Sequence, residues 1–258
     1  MRILNIMLAA MLLATVAQAK LVRETVTIGH EGVTLECYLV HDDSFTGPRP
    51  GVLVVHQWMG LSENEKMRAD MLAELGYIAL ATDVYGQGVR PANTEEAGAT
   101  AGIYYQDRKL FRARLQAGLQ ALKQVEGVDT DRVAAIGYCF GGGGVLELAR
   151  SGAELAGVVS FHGSLDTPLP AEEGAIKGKI LVCHGAVDPH VKPEAVRGFV
   201  DEMEAVGADY QLIMYAQAVH AFTQKGAGED PSRGVAYNAR ADRRSWQHMR
   251  LFLDEIFK

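Results

Sequence analysis

The chemistry in this chain begins at Ala135-Ile-Gly-Tyr-Cys-Phe-Gly-Gly-Gly-Gly144, where an apolar run gives way to a run of glycines. Gly137-x-Cys139-x-Gly141 has the spacing of a strand-to-helix elbow that carries a nucleophile, with Cys where Ser is usual. Strand and helix cross closely at such an elbow, so side chains two positions before and after the nucleophile would collide. The turn lifts the thiol to a helix N-terminus, where the positive end of the dipole favours thiolate. A strand-to-helix turn with a buried Cys has the same pattern, so the segment alone leaves both readings open. No Lys-Ser/Thr follows the glycines, which excludes a phosphate loop. No Gly-x-Gly follows the strand directly, which excludes a dinucleotide fingerprint.

Chain order adds weight. The run Lys179–Cys183 leads into His184-Gly-Ala-Val-Asp188-Pro189, and Tyr210–Tyr215 leads into Ala218-Val-His220-Ala-Phe222. Cys139, Asp188 and His220 therefore each fall just past the C-terminal end of a strand, where ligands and catalysis gather in open α/β sheets. His220 would hold the thiolate as an ion pair and later protonate a leaving group, and Asp188 would orient the imidazole. Asp83 and Asp166 are the alternative acids. His184 reads as a structural residue at a strand end. His162 is either near the site or a buried, bonded His. His30, His41 and His248 carry no motif. With no H-E-x-x-H and no paired-Cys motif, neither a metal nor a cofactor is expected.

These residues need elements to position them. Strands are expected at Glu24–Ile28, Thr34–Val40, Gly51–Val55, Tyr77–Thr82, Arg132–Ile136, Leu155–Phe161, Lys179–Cys183 and Tyr210–Tyr215. Helices are expected at Glu63–Leu75, Arg108–Val125, Gly142–Arg150, Glu194–Val206 and Tyr237–Phe257. The first of these would turn Met67, Met71, Leu72 and Leu75 to one side, and Gly86–Gly102 reads as a loop. Alternating strands and helices imply an α/β fold: a mostly parallel sheet with helices on both faces and an antiparallel N-terminal edge hairpin.

The 258 residues are 48% hydrophobic and 22% charged, enough for one large core and too apolar for general disorder. No internal repeat or composition break divides them. A net charge of −7 argues against a nucleic-acid partner. Met1–Ala19 reads as a cleavable signal peptide: Arg2, a short apolar run, then Ala17-Gln18-Ala19. A single domain over 20–258 is expected, exported to the periplasm or beyond, with no membrane contact after cleavage. Cys37, Cys139 and Cys183 are an odd number for an oxidising compartment, so at least one thiol lacks an internal partner.

Four segments resemble the dienelactone hydrolase family of α/β-hydrolases: Val54-Val-His-Gln-Trp-Met-Gly-Leu61, Asp83-Val-Tyr-Gly86, Gly137-Tyr-Cys-Phe-Gly-Gly142, and the pair His184-Gly-x-x-Asp188 and His220-Ala-Phe222. The resemblance implies a Cys139–His220–Asp188 triad and an oxyanion hole from the backbone N–H groups of Trp58 and Phe140. Family members usually carry Glu where this chain has Gln57, and that Glu is thought to bond the resting thiol. Gln57 is accordingly expected beside Cys139. Dienelactone-cleaving members hold the substrate carboxylate with two arginines. This chain has Gln224 at one such position, with Arg90 and Arg108 as loose candidates for the other. Trp58, Tyr85, Tyr104, Tyr105 and Phe222 are candidate pocket residues. The expected activity is hydrolysis of a small-molecule ester or lactone through a thioester. The rivals are a binding protein that keeps the fold without turnover and a thiol redox protein, which no C-x-x-C supports.

Overall fold

The structure is a computed structural model that describes residues 20–258, so the expected signal peptide lies outside the described residues. The apolar runs form strands β3 (Arg49–Val55), β4 (Ile78–Thr82), β5 (Val128–Tyr138), β6 (Gly157–Phe161) and β7 (Lys179–Gly185), followed by the edge strand β8 (Tyr210–Tyr215). Before them, β1 (Leu21–His30) and β2 (Val33–Asp42) make a hairpin. Its two-residue turn has φ of 49° at Glu31 and 75° at Gly32, the positive pair that a tight hairpin turn with right-handed strand twist requires. All eight strands form one sheet in the order β1-β2-β4-β3-β5-β6-β7-β8. β2 pairs antiparallel with β1 and β4, and every other neighbouring pair is parallel.

Alternate residues of the strands feed two cores. On one face, Leu53, Val55 and Val158 pack against α2 (Thr94–Gln106), α3 (Arg108–Lys123), α4 (Phe140–Arg150) and α5 (Pro193–Ala205). On the other, Val52, Val54, Ile136 and Val159 pack against α1 (Glu63–Ala73) and α6 (Ala239–Ile256). The chain thus has the α/β-hydrolase architecture expected from its alternation, with the antiparallel hairpin at one edge.

Three local expectations are corrected. The segment read as a loop over Gly86–Gly102 contains the start of α2, which Asn93 caps by accepting from the Glu96 N–H. α2 buries only Ala97, Ala101 and Tyr104, too little apolar surface to leave a readable period. α1 does not bury the expected side: Met67 is 38% exposed, while Glu65 and Arg68 go inward with Ala69, Leu72 and Ala73. Both inward charges have partners, Glu65 in a capping box with Ser62 and Arg68 in an ion pair with Asp242 at 2.7 Å. α4 begins at Phe140 rather than Gly142, so the thiol stands directly at its N-terminus.

The glycine run is set by the crossing of α4 over the sheet. A Cβ on Gly137 would overlap the Gly141 carbonyl, and one on Gly141 would overlap the Val55 carbonyl. A Cβ on Gly142 would stand 2.8 Å from the Gly163 Cα, and one on Gly144 would meet the Phe111 ring at 2.6 Å. Gly143 alone has room, with nothing nearer than 3.4 Å. Gly141→Ala is therefore expected to lose about 1–3 kcal/mol or more from overpacking against backbone. Gly143→Ala is expected to be neutral or to gain about 0.5 kcal/mol from helix propensity. Chemical denaturation of both variants checks this, and equal losses would contradict the crossing.

Candidate active site

Cys139 is held at φ 53° and ψ −112°, a strained backbone for a residue with a side chain. Its N–H donates to the Phe161 carbonyl at 3.0 Å, and its own carbonyl accepts from the Gly143 N–H at 3.1 Å. Asp188 sits in the turn after β7, where its N–H donates to the Gly185 carbonyl at 3.1 Å. His220 follows β8 and is fixed on both sides of its peptide: its N–H donates to the Gly234 carbonyl, and its carbonyl accepts from Ala236 N–H. Three loops thus bring three side chains into line. His220 Nε2 lies 3.0 Å from Cys139 Sγ, and His220 Nδ1 lies 2.9 Å from Asp188 Oδ2. The His190 N–H donates to the other Asp188 oxygen at 2.8 Å.

Burial and charge oppose each other along this line. Burial pushes the Asp188 carboxyl up, but the hydrogen bond and charge of His220 outweigh it and hold the group below its usual range. Burial pushes His220 down, while its bonds to Asp188 and Cys139 raise it to about 10. The other two thiols are free and buried. Burial pushes Cys37 up to about 11 and Cys183 to about 12. The N–H groups of Trp58 and Phe140 have no backbone acceptor among the described residues; that of Phe140, next in chain to Cys139, opens α4 and has none within its helix. No cluster of three metal-ligating side chains occurs among the described residues. Nor does any described helix have the length and apolarity to cross a membrane.

The site can be set beside known proteins. The family model for the dienelactone hydrolase family matches residues 35–257. The chain belongs to the dienelactone hydrolase family. As a member it is a hydrolase of the ester- and lactone-cleaving kind. It is similar to a solved dienelactone hydrolase-like promiscuous phosphotriesterase from metagenomic libraries, with 39% identity and a TM-score of 0.87, covering 93% of this chain and 100% of that one. The solved protein m3DLH matches at 38% identity and a TM-score of 0.88, over 92% and 99% of the two chains. A Yersinia pestis protein named "Putative carboxymethylenebutenolidase" is 28% identical over 86% of this chain and 84% of its own.

Within this dienelactone hydrolase fold the remaining candidates separate. Asp83 is occupied elsewhere: it accepts from the N–H groups of Glu36, Tyr85 and Gly86 and lies 3.5 Å from Arg90. Asp166 is exposed. His184 is buried at the end of β7. His162 is both near the site and bonded: its ring lies edge-on to His220 at 5.3 Å, and its Nε2 is 2.8 Å from Thr223 Oγ1. Tyr85 and Tyr104 are buried and spend their hydroxyls on the carbonyls of Trp58 and Val84. Tyr105 is half-buried against the Phe140 ring and carries the Arg108 guanidinium over its face at 4.9 Å. Phe222 lies wholly in the core, and Gln224 is half-buried at the start of a short turn.

The Gln57 amide makes no hydrogen bond to the thiol; Nε2 donates to Glu65 Oε1 at 3.3 Å. Ser62 N–H, Ser62 Oγ and Asn64 Nδ2 donate to the same carboxylate, so Glu65 is surrounded by donors. The Glu65 contact escaped sequence reasoning, since its partner lies across a loop. Gln57→Glu would set two buried carboxylates against each other, and one would have to hold a proton in the fold. A carboxyl raised in the folded state loses stability as pH rises. The variant is therefore expected to fall progressively behind wild type in Tm from about pH 4 upward. A pH-independent difference would contradict the contact.

Proposed function

We propose that this hydrolase cleaves small carboxylic esters or lactones through Cys139, His220 and Asp188, with a thioester intermediate. The observation that carries this is the 3.0 Å approach of His220 to a thiol on a strained helix-entry turn. His220, held protonated up to about 10, donates from Nε2 to the sulfur, giving a thiolate–imidazolium pair. The thiolate attacks the carbonyl carbon, a C–S bond forms, and the carbonyl π pair moves onto oxygen. The Trp58 and Phe140 N–H groups meet that developing charge. Collapse breaks the C–O bond, and His220 gives its proton to the leaving alkoxide. Water then attacks the thioester while His220 takes a proton from it; the C–S bond breaks with its pair returning to sulfur, the acid leaves and the ion pair is restored.

Asp188 keeps Nδ1 of His220 bonded and stabilises the imidazolium. Two supports come from the relatives: the lactone-cleaving names in the family, and the metagenomic phosphotriesterase at 39% identity. A thiolate beside two N–H donors suits attack on a phosphoryl centre as well, so a phosphotriester belongs in any substrate panel.

Cys139→Ala and His220→Ala are expected to lower ester turnover by about 10³-fold or more. Brief iodoacetamide treatment of wild type is expected to label Cys139 ahead of Cys37 and Cys183, whose thiols burial keeps protonated. Wild-type-like turnover in Cys139→Ala, or first labelling at Cys37 or Cys183, would sink the assignment.

The reading also includes export, supported by the Arg2, apolar-run and Ala17-Gln18-Ala19 pattern. Mass spectrometry of protein from the extracytoplasmic fraction is expected to find Lys20 as the first residue. Intact Met1 on membrane-bound protein would contradict it.

A further inference from the structure

His56 is the first residue after β3 and is wholly buried. It has no place in the reaction steps above, yet its ring bonds the peptide that carries the Trp58 N–H and stacks on the side chain of Phe140. Nε2 accepts a hydrogen bond from the Val84 N–H at 3.1 Å. A backbone N–H can only donate, so Nε2 is the bare nitrogen and the ring hydrogen is on Nδ1. Nδ1 then donates to the Gln57 carbonyl at 2.6 Å. Burial disfavours a second ring proton, which keeps this tautomer neutral.

The Gln57 carbonyl belongs to the same peptide as the Trp58 N–H. In a trans peptide the two point in opposite directions. Pinning the oxygen to His56, with a second bond from the Gly60 N–H at 3.1 Å, therefore fixes where the Trp58 N–H points. The opposite side of the hole is set by the same ring. His56 stacks on Phe140 with centroids 5.7 Å apart and planes 14° from parallel. Phe140 opens α4 and supplies the other N–H. Tyr85 packs edge-on to His56 at 4.7 Å and donates its hydroxyl to the Trp58 carbonyl at 3.0 Å, locking the next peptide.

We propose that His56 is the positioning residue for both oxyanion donors, tying the loop after β3 to the loop after β4 and to the elbow through its two ring nitrogens and its face. The inference rests on the thiolate mechanism given above. It predicts a defect confined to steps in which a carbonyl oxygen takes up charge. An error of an ångström in donor placement is enough for a loss of about 10²-fold.

Two variants separate the contributions. His56→Phe keeps a flat ring against Phe140 and loses both hydrogen bonds; His56→Gln keeps a donor and an acceptor and loses the ring. In His56→Phe, kcat for a small ester is expected to fall about 10²-fold with KM changed by less than about threefold. Iodoacetamide alkylation of Cys139 uses the thiolate and no oxyanion, so its rate is expected to match wild type. His56→Gln is expected to recover part of kcat. Turnover within about threefold of wild type in His56→Phe overturns the proposal, as does an equal fall in alkylation, which would mark general disruption. If His56→Phe does not fold, nitrogen-detected NMR of the wild-type protein decides: the proposal requires His56 protonated at Nδ1, and protonation at Nε2 overturns it. A wild type that turns over no ester would instead overturn the mechanism, and the tautomer measurement would still test the anchor.

Discussion

A carboxylate buried as completely as the Asp188 side chain needs a cation, and His220 is placed to be that cation. The 2.9 Å contact keeps the carboxylate charged and the imidazole protonated at the same time. The 3.0 Å contact on the far side of the ring passes that charge to Cys139. Removing His220 leaves the buried Asp188 carboxylate without its cation. The parallel strand order exists, in this sense, to place three loop tips at one end of the sheet, since β5, β7 and β8 all point the same way.

Holding that line requires local strain, and much of the strain lies along it. Cys139, His162 and Ala221 all have positive φ, at 53°, 41° and 56°. One carries the thiol, one sets a ring against His220, and one directly follows His220. Such backbone persists only where the surroundings over-determine it. Here the surroundings are the glycine-lined crossing of β5 and α4 and the strands on either side, β3, buried from Gly51 to Val55, and β6, buried throughout. Burial of Arg68 adds a further brace: its guanidinium donates both to Asp242 and to the Thr223 carbonyl, next to the hydroxyl that bonds His162.

The sequence disclosed the parallel sheet because its strands are buried on both faces and so read as unbroken apolar runs, as in Val52–Val55. It disclosed the neighbourhood of Cys139, Asp188 and His220 because each follows the C-terminal end of a strand, and the structure brings the three into hydrogen-bonding distance. What it concealed depends on contacts rather than on pattern. α2 buries small residues and shows no period. The inward face of α1 is polar because Glu65 and Arg68 find partners, one of them 174 residues away. Gln57 was legible as an unusual residue next to Trp58, but its partner, Glu65, lies across a loop and a helix cap. The tautomer of His56 is fixed by an N–H from a different strand end, a constraint no local reading contains.

The central claim is that Asp188 and Cys139 together hold a proton on His220. Its most direct test is an NMR pH titration of the His220 ring in the resting protein, with Asp188→Asn for assignment. The account predicts that the imidazolium persists through neutral pH and loses its proton only near about 10. A His220 that titrates near 6.5, the ordinary value for an imidazole, would contradict it.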